Sequence, residues 1–136
     1  MKLQPHAAFS GQCETAFKFY EQCLGGKITF MMKYAESPMA EQVPPDWRGK
    51  IIHASMQLGD SVLMGVDAPP GRFEKSRGIT LSLSVEDAAE AERIFHGLAE
   101  KGEISMPLAE TFWAIRFGML VDQFGIPWMV NCENKA

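Results

Sequence analysis

The chain has 136 residues, 46% of them hydrophobic and 22% charged, a balance typical of a globular domain and not of a disordered segment. Its formal net charge of −4 at pH 7 excludes the basic field that attracts nucleic acid or anionic lipid. No stretch approaches the roughly 20 apolar residues that span a bilayer, and MKLQPHAAF has no long apolar core of a signal peptide. We therefore expect a cytoplasmic protein, folded as a single domain over residues 1–136, with no nucleic-acid or membrane partner.

The first half alternates strand and helix patterns. LQPHAAFS predicts a strand with Leu3, Ala7 and Phe9 on one face and His6 on the other. A helix over about 12–24 follows, ended by two glycines at 25–26. KITFMMKY (27–34) predicts a second strand.

A polar, proline-containing excursion over 35–50 comes next and contains Trp47, which we expect either to close over a binding cleft or to lie at a subunit contact. The Gly-Asp pair at 59–60 joins IIHASMQL to SVLMGVD and predicts a β-hairpin. In the first hairpin strand Ala54 and Met56 share the core face, so His53 is predicted to point the other way, like His6.

The second half begins after a linker composition over 68–78. ITLSLSV alternates strictly and predicts a strand whose apolar face includes Ile79 and whose polar face includes Thr80. Asp87 is a predicted N-cap for a helix whose apolar face is Ala88, Ala91, Ile94, Phe95 and Leu98. GEISMPL predicts the next strand, and two final strands are expected over about 112–121 and 126–132.

The two halves repeat one unit. Four positions recur 76 residues apart with the same or similar residues: Phe19, Gly26, Ile28 and Thr29 become Phe95, Gly102, Ile104 and Ser105. The expected fold is α+β, with two βαβββ modules forming a curved mixed sheet around a cleft and helices on the outer face. Module one covers about 1–67, the linker 68–78 and module two about 79–136.

The three cysteines, Cys13, Cys23 and Cys132, are expected to be free and mostly buried thiols. In a helix, Cys13 and Cys23 lie about 15 Å apart along the axis. That separation exceeds the roughly 7 Å limit between Cα atoms in a disulfide.

Long composite motifs resemble the vicinal-oxygen-chelate superfamily, which includes glyoxalase I, extradiol dioxygenases and bleomycin-resistance proteins. FYEQCLGG is similar to its first-helix motif, and WAIRFGMLVDQFG to its late motif. The PhnB-like proteins are closer, through FSGQCETAFKFY, HASMQLGDSVLMGVD and ETFWAIRFGMLVDQFGIPWMVN. The resemblance covers nearly the whole chain and implies the fold more than the activity.

In metal-using members, four side chains from four strands enclose one cation, usually two histidines and two glutamates. The resemblance places His6, Met64, Thr80 and Met129 at these positions. Thioether sulfur is a poor donor for hard divalent ions and suits Cu(I) instead. We therefore expect no metal ligands of the usual kind and no resident cofactor.

His6 and His53 are the candidate catalytic residues. Two histidines in one cleft could hold a metal with a water, or act as acid and base near neutral pH. In the alternative interpretation, each only hydrogen-bonds a neighbouring strand or a buried water.

The segment ETFWAIRFGMLVDQFGIPWMV predicts the wall of a cavity. Thr111 and Trp113 are placed on a cleft-facing strand, where the indole offers a flat surface to an apolar guest, whereas Trp128 is expected in the core. Arg116 and Asp122 are expected to form a structural pair, the alternative being that Arg116 captures an anionic ligand.

The leading hypothesis is a metal-free protein that binds a small, largely apolar or aromatic molecule through His6, His53, Met64, Thr80, Thr111, Trp113 and Met129. One alternative is a lyase, isomerase or dioxygenase using a rearranged site with His6 and His53. Another is a dimeric interaction protein without a small-molecule ligand. Relatives of this group carry a ubiquinone-pathway methyltransferase label, but the chain has no glycine-rich G-x-G-x-x-G turn for such a cofactor. A homodimer is expected because members of the superfamily commonly form one.

Overall fold

The computed structural model describes residues 1–133. It divides the chain into two compact units, Met1–Glu74 and Lys75–Ala136. The boundary between them lies inside the segment 68–78, where we expected a linker.

The first unit is a four-stranded sheet with one helix. Its elements are β1 (His6–Phe9), α1 (Cys13–Leu24), β2 (Lys27–Lys33), β3 (Ile51–Leu58) and β4 (Ser61–Asp67). The strand order is β1-β4-β3-β2, with β1 parallel to β4 and the other neighbours antiparallel. The predicted first strand is shorter than expected, because Leu3 precedes it and is fully exposed.

The second unit repeats this layout. Its elements are β5 (Leu81–Ser84), α2 (Ala88–Ala99), β6 (Glu103–Ala109), β7 (Ala114–Val121) and β8 (Pro127–Glu133), in the sheet order β5-β8-β7-β6. The α+β class and the two βαβββ modules are thus confirmed, each module forming its own mixed sheet. β5 is shorter than predicted: it begins at Leu81, and Ile79, expected on the core face, is 77% exposed.

Helix α1 covers one face of the first sheet. Its buried side chains are Cys13, Ala16, Phe17 and Tyr20, all on the predicted face. The helix ends at Gly25, whose φ of 72° is the left-handed conformation that glycine adopts without steric cost. Gly65 of β4 lies directly under Phe17, which identifies the α1 side of this sheet.

A buried aspartate holds the start of α1. The Asp67 carboxylate, 1% exposed, accepts hydrogen bonds from the backbone N–H groups of Gly11 (3.0 Å), Cys13 (2.9 Å) and Ile51 (2.8 Å). It therefore joins the end of β4 to the first turn of α1 and to the start of β3. The Tyr34 hydroxyl donates to the Asp67 main-chain oxygen over 2.7 Å. Burial, and next the charge of Asp67, raises the pKa of the Tyr34 phenol.

The excursion between β2 and β3 packs on the first unit. It contains three single 3₁₀ turns, Tyr34–Glu36, Ala40–Gln42 and Pro45–Trp47. The half-buried Trp47 lies against the Gly11 turn. Lys50 Nζ stands 6.0 Å from the Trp47 ring centroid and donates to the Gly11 carbonyl over 3.0 Å.

Helix α2 covers one face of the second sheet in the same way. Asp87 caps it as predicted, accepting from the Glu90 N–H over 3.0 Å, and Ala91, Ile94, Phe95 and Leu98 are buried. Trp128 of β8 is 2% exposed, so its predicted core position is confirmed.

Among residues 1–133 no disulfide joins the three cysteines, as predicted; Cys13 and Cys132 are buried and Cys23 is partly buried. Burial, and next the charge of Asp67, raises the pKa of the Cys13 thiol far above its usual range. Among residues 1–133, no helix is long and apolar enough to cross a bilayer.

Candidate functional site

One face of the first sheet carries three predicted site residues. His6 of β1 is the register partner of Met64 on β4, and Met64 pairs in turn with Ser55 on β3. Directly paired residues share a face, and so do residues two apart on one strand, so His53 lies on this side as well. Gly65, next to Met64, faces α1; the face of His6, His53 and Met64 is therefore the opposite one. We name it the histidine face.

Strand β2 extends the histidine face with two residues that the sequence interpretation missed. Phe30 is the register partner of Ser55, and Met32 that of His53. Phe30 is 44% exposed, and its ring centroid lies 5.7 Å from that of His53. KITFMMK does not alternate apolar and polar residues, and a register shift between Ile28 and Phe30 breaks the period of two. The sequence therefore held no periodic signal for this part of the face.

The two imidazoles of the histidine face lie near each other. Their ring centroids are 6.2 Å apart with an angle of 17° between the planes. Ser55 Oγ lies 3.3 Å from His53 Nε2, close enough for a hydrogen bond that orients this ring. Partial burial, and next the charge of His53, lowers the pKa of His6, so the neutral imidazole is favoured there.

The second sheet presents a corresponding face, which we name the tryptophan face. Met129 of β8 pairs with Ser82 on β5 and with Met119 on β7. Asn131, two residues later on the same side, pairs with Ser84 and with Phe117. Gly118 lies under Phe95 of α2, which identifies the helix side of this sheet. The residues of the tryptophan face alternate with Gly118 and Val130, so this face is turned away from the helix.

Trp113 lies in a turn and not on a strand, so its predicted placement is wrong: β7 begins at Ala114. The Thr111 hydroxyl oxygen accepts from the N–H groups of Trp113 (3.3 Å) and Ala114 (3.0 Å), and the Thr111 N–H donates to the Ala114 carbonyl over 3.0 Å. Thr111 thus holds the turn that carries the indole. The short polar side chain of Thr111 hydrogen-bonds the neighbouring backbone and so competes with strand pairing. The apolar run FWAI gave no indication of this turn in the sequence.

The Trp113 turn forms an aromatic cluster. The Trp113 ring centroid lies 5.3 Å from that of Phe117 and 4.7 Å from that of Phe112, both in edge-to-face geometry. Trp113 is 46% exposed and Phe112 is 94% exposed. A broad aromatic surface is therefore available at the end of the tryptophan face.

Asn131 is a polar residue of this face that the sequence interpretation missed. Its side-chain Oδ1 atom is buried and has no hydrogen-bond partner among residues 1–133. A buried acceptor without a partner is costly in a protein and calls for a donor. Thr80, predicted to share the face, is half-buried and lies just before β5.

The predicted Arg116–Asp122 pair is wrong. Arg116 lies on the helix side of its sheet: Nε donates to Glu92 of α2 over 3.0 Å, and Nη1 donates to the Ile115 carbonyl over 2.8 Å. This contact, the largest cause, lowers the pKa of Glu92. The alternation of side chains between the two faces of β7 explains the error. Arg116 pairs with the buried Cys132 of β8 and therefore points to α2.

Asp122 instead organises the turn between β7 and β8. Its Oδ1 atom accepts from the N–H groups of Phe124 (2.8 Å) and Ile126 (3.0 Å), and Oδ2 accepts from the Trp128 indole N–H over 2.8 Å. A surface cavity of about 350 Å³ opens beside this turn, lined among others by Lys75, Lys101 and Gln123. The predicted site residues are not among those that line it.

Comparison with known proteins places the chain in a family. Residues 1–131 match the family model described as 3-demethylubiquinone-9 3-methyltransferase. The chain belongs to this family. It is 36% identical to Protein YjdN of Escherichia coli (strain K12), over 96% of this chain and 95% of that protein.

Solved structures agree with this membership. The protein PA1353 from Pseudomonas aeruginosa superposes with a TM-score of 0.90 at 45% identity, covering 98% of both chains. A Bacillus cereus PhnB protein, titled a putative 3-demethylubiquinone-9 3-methyltransferase, gives 0.81 at 27% identity, with 97% of this chain and 99% of that chain covered. A glyoxylase/bleomycin resistance protein/dioxygenase domain from Frankia, at 16% identity, has a TM-score of 0.60 over 98% of both chains and extends the likeness in fold alone.

The family fold raises the question of a divalent metal, and the residues present do not fit one. The four positions that the resemblance assigns to ligands hold one imidazole, two thioethers and one hydroxyl: His6, Met64, Met129 and Thr80. Hard divalent ions prefer carboxylate, imidazole and water ligands. Within residues 1–133, moreover, no three His, Cys, Asp or Glu side chains are grouped to hold a metal.

Proposed function

We propose that this protein binds a small, largely apolar or aromatic molecule without a hard divalent metal. The observation that carries the proposal is the aromatic cluster of Trp113, Phe112 and Phe117, which leaves flat ring surface exposed on a structured turn. Exposed aromatic surface of this kind is typical of binding sites, because a soluble monomer otherwise buries it.

Polar groups near the cluster support a ligand that also carries a hydrogen-bond donor. The unpartnered Oδ1 atom of Asn131 lies on the same face as Phe117, its register partner. Small-molecule sites are mostly apolar with a few placed polar groups, and Asn131 supplies one beside Met129. In the first unit, the neutral His6 and the oriented His53 are separate candidates for polar contacts with a ligand.

The family description names a methyltransferase, and we do not propose that activity. A transferred methyl group needs a donor cofactor, and the sequence lacks the glycine-rich strand-to-helix turn that cradles a nucleotide-type cofactor. The proposed role is therefore recognition of a small molecule.

Binding is tested by extracting the purified protein and identifying bound small molecules by mass spectrometry, followed by titration with the molecule recovered. The Trp113→Ala variant is expected to bind that molecule with an affinity about tenfold or more lower, since an aromatic contact contributes about 0.5–1.5 kcal/mol beyond its buried area. Phe73→Ala is the matched control, because Phe73 is 38% exposed and lies outside both faces. Equal affinity in the two variants would exclude the aromatic cluster as the site, and stoichiometric iron, nickel, manganese or zinc in the purified protein would contradict the metal-free proposal.

A second candidate function is acid–base catalysis by His6 and His53. The lowered pKa of His6 favours a general base near neutral pH, and Ser55 orients His53. Turnover of the recovered molecule would support it if His6→Ala and His53→Ala each removed the turnover while His96→Ala retained it. If both variants keep full turnover, the histidines have no catalytic role.

We also propose that the protein is a cytoplasmic homodimer. Exposed apolar residues on the edge strand β6, Ile104 and Met106, support a contact between subunits. Light scattering at micromolar concentration is expected to give twice the 15.1 kDa monomer mass. A particle of monomer mass would contradict the dimer. A dimer from which no ligand can be extracted, and which binds none in titrations, would favour a role in protein interaction alone.

A further inference from the structure

The left-handed position that follows each helix is filled differently in the two modules. Helix α1 ends at Gly25, with a φ of 72°, whereas the equivalent position of module two holds Lys101, with a φ of 58°. Lys101 is the one residue other than glycine that has a positive φ among residues 1–133. A Cβ atom makes this backbone conformation unfavourable, so glycine or asparagine usually occupies it. Module two therefore keeps a lysine at a position that favours glycine.

The end of helix α2 does not explain this lysine. Basic residues can stabilise the carboxyl end of a helix, but α1 has none in its last turn. The carbonyl groups at the end of α2 also have donors of their own: the Gly102 N–H donates to Ala99 over 2.8 Å, and the Gln123 side-chain amide donates to Glu100 over 3.4 Å. The reason for the lysine therefore lies in what its side chain faces.

Lys101 lines the surface cavity of about 350 Å³ beside the turn between β7 and β8, and so does Lys75. All the described residues that line this cavity belong to the second unit. Within residues 1–133 neither lysine forms an ion pair with a carboxylate, although Glu103 lines the same cavity. Each ammonium group ends a flexible four-carbon stem, so both can turn toward one guest in the cavity.

The rest of the lining is mostly polar and leaves an excess of positive charge. Asp122 is 3% exposed, and its carboxylate accepts from three donors inside its own turn, so Lys75 and Lys101 face Glu103 as the one remaining acid of the described lining. The Gln123 amide uses one N–H on Glu100 and has a second to donate. Such a lining suits a hydrophilic anion and not an apolar molecule.

We propose that this cavity binds a phosphate group, carried by inorganic phosphate or by a small phosphate monoester, between Lys75 and Lys101. Phosphate carries about −1.5 to −2 charges near pH 7, which two ammonium groups match, and Gln123 supplies a further hydrogen bond. The site does not depend on the proposed apolar ligand. The cavity lies where β7 ends, at Val121, whereas the Trp113 turn precedes the start of that strand.

The test is an NMR titration of the full chain with inorganic phosphate, glycerol 3-phosphate and glycerol, with chloride at equal ionic strength as the reference. We expect saturable shifts of the Gly102 N–H and of the Gln123 side-chain amide with the two phosphates, and none with glycerol. Saturation at a lower concentration of the ester would identify a monoester as the ligand. Equal affinities would identify phosphate itself.

Lys101→Gly is the sharpest variant, because it restores the residue of module one. Its melting temperature should not fall, since glycine removes the unfavourable Cβ atom, but phosphate should bind about threefold or more weakly, as the loss of one exposed charge contact predicts. Lys75→Gln combined with Lys101→Gly should weaken binding about tenfold or more. Glu103→Gln should instead strengthen it, because that change removes the opposing charge.

Lys27→Gln is the matched control for charge. It removes one positive charge from an exposed position of β2 in the first unit and should bind phosphate as the wild type does. Three results would overturn the site: shifts that stay linear in phosphate concentration, equal weakening in Lys27→Gln and Lys101→Gly, or weaker binding in Glu103→Gln. Trp113→Ala should lose affinity for the organic ligand and retain phosphate, so the two proposals fail separately.

Discussion

The two modules share one layout but anchor their helices differently. Helix α2 begins at a local cap, Asp87, whose carboxylate accepts a hydrogen bond from the Glu90 N–H three residues later. Helix α1 begins on Gln12, whose side chain makes no capping bond, and is held instead by Asp67, 54 residues away from Cys13. The layout is fixed by apolar periodicity, which both modules repeat, whereas the polar contacts that anchor each helix are specific to the module.

The largest expected effect comes from removing the remote anchor. Asp67→Ala leaves three buried or part-buried backbone N–H groups without their acceptor, each costing about 1–3 kcal/mol, so we expect a loss of about 3 kcal/mol or more in the free energy of unfolding. Asp87→Ala, the matched change in the second module, should cost about 1 kcal/mol. Urea denaturation of both variants checks the comparison. Equal losses would show that the two anchors are equivalent after all.

Repeated glycines provide a comparison in which the modules should agree. Gly26 and its counterpart Gly102 precede β2 and β6, and a Cβ atom added there would lie 2.8 Å from the Gln57 carbonyl oxygen or 2.5 Å from the Val121 carbonyl oxygen. Backbone cannot move aside as a flexible side chain does. Gly26→Ala and Gly102→Ala should therefore each destabilise the protein by about 1–3 kcal/mol.

The control for the glycine pair is Gly49→Ala, because a Cβ atom there meets nothing within 4 Å. Thermal melting of the three variants tests the expectation. If Gly49→Ala is as destabilising as Gly102→Ala, the close backbone approach is not the reason that glycine occupies both repeated positions.

Much of the fold could be predicted from the sequence because its signals are local and periodic. The α1 face of Ala16, Phe17 and Tyr20 and the α2 cap at Asp87 each depend on residues within a few positions. The structure likewise places His6 and His53 on one face, as the strand alternation predicts.

The missed features depend on contacts distant in sequence or on broken periodicity. Arg116 donates to Glu92 because the alternation of side chains along β7 directs it toward α2, whereas the Asp122 carboxylate accepts hydrogen bonds within its own turn. Phe30 lies beyond a register shift in β2, and Asn131 is distinguished only by the missing partner of its buried oxygen. No local pattern encodes these facts.

A smaller effect is expected from pH in the first module. Because the pKa of His6 is lowered in the folded protein, the unfolded chain binds more protons than the folded protein at pH values just below 6.5, the ordinary histidine pKa. The stability contributed by neutral His6 is therefore present above pH 6.5 and lost as the pH falls below it. His6→Gln should lose less stability than the wild type between pH 7.5 and 5.5, as measured by urea denaturation. NMR titration should give His6 a pKa below 6.5 that rises in His53→Ala without reaching 6.5, since burial, the larger cause, remains.

The second module contains the opposite kind of group, an acid, in a more exposed setting, so its effect should be the smallest. The hydrogen bond from Arg116 holds the pKa of Glu92 below its ordinary value of 4.5, with a further contribution from His96. Its stabilisation is thus present above pH 4.5 and lost as the pH falls through the lowered value. Carbon-13 NMR of the carboxyl groups should show the Glu92 pKa rising in Arg116→Met, and rising less in His96→Asn because Arg116 is the larger cause. A larger rise in the histidine variant would mean that the contact within α2, and not the contact between α2 and β7, sets the charge of this residue.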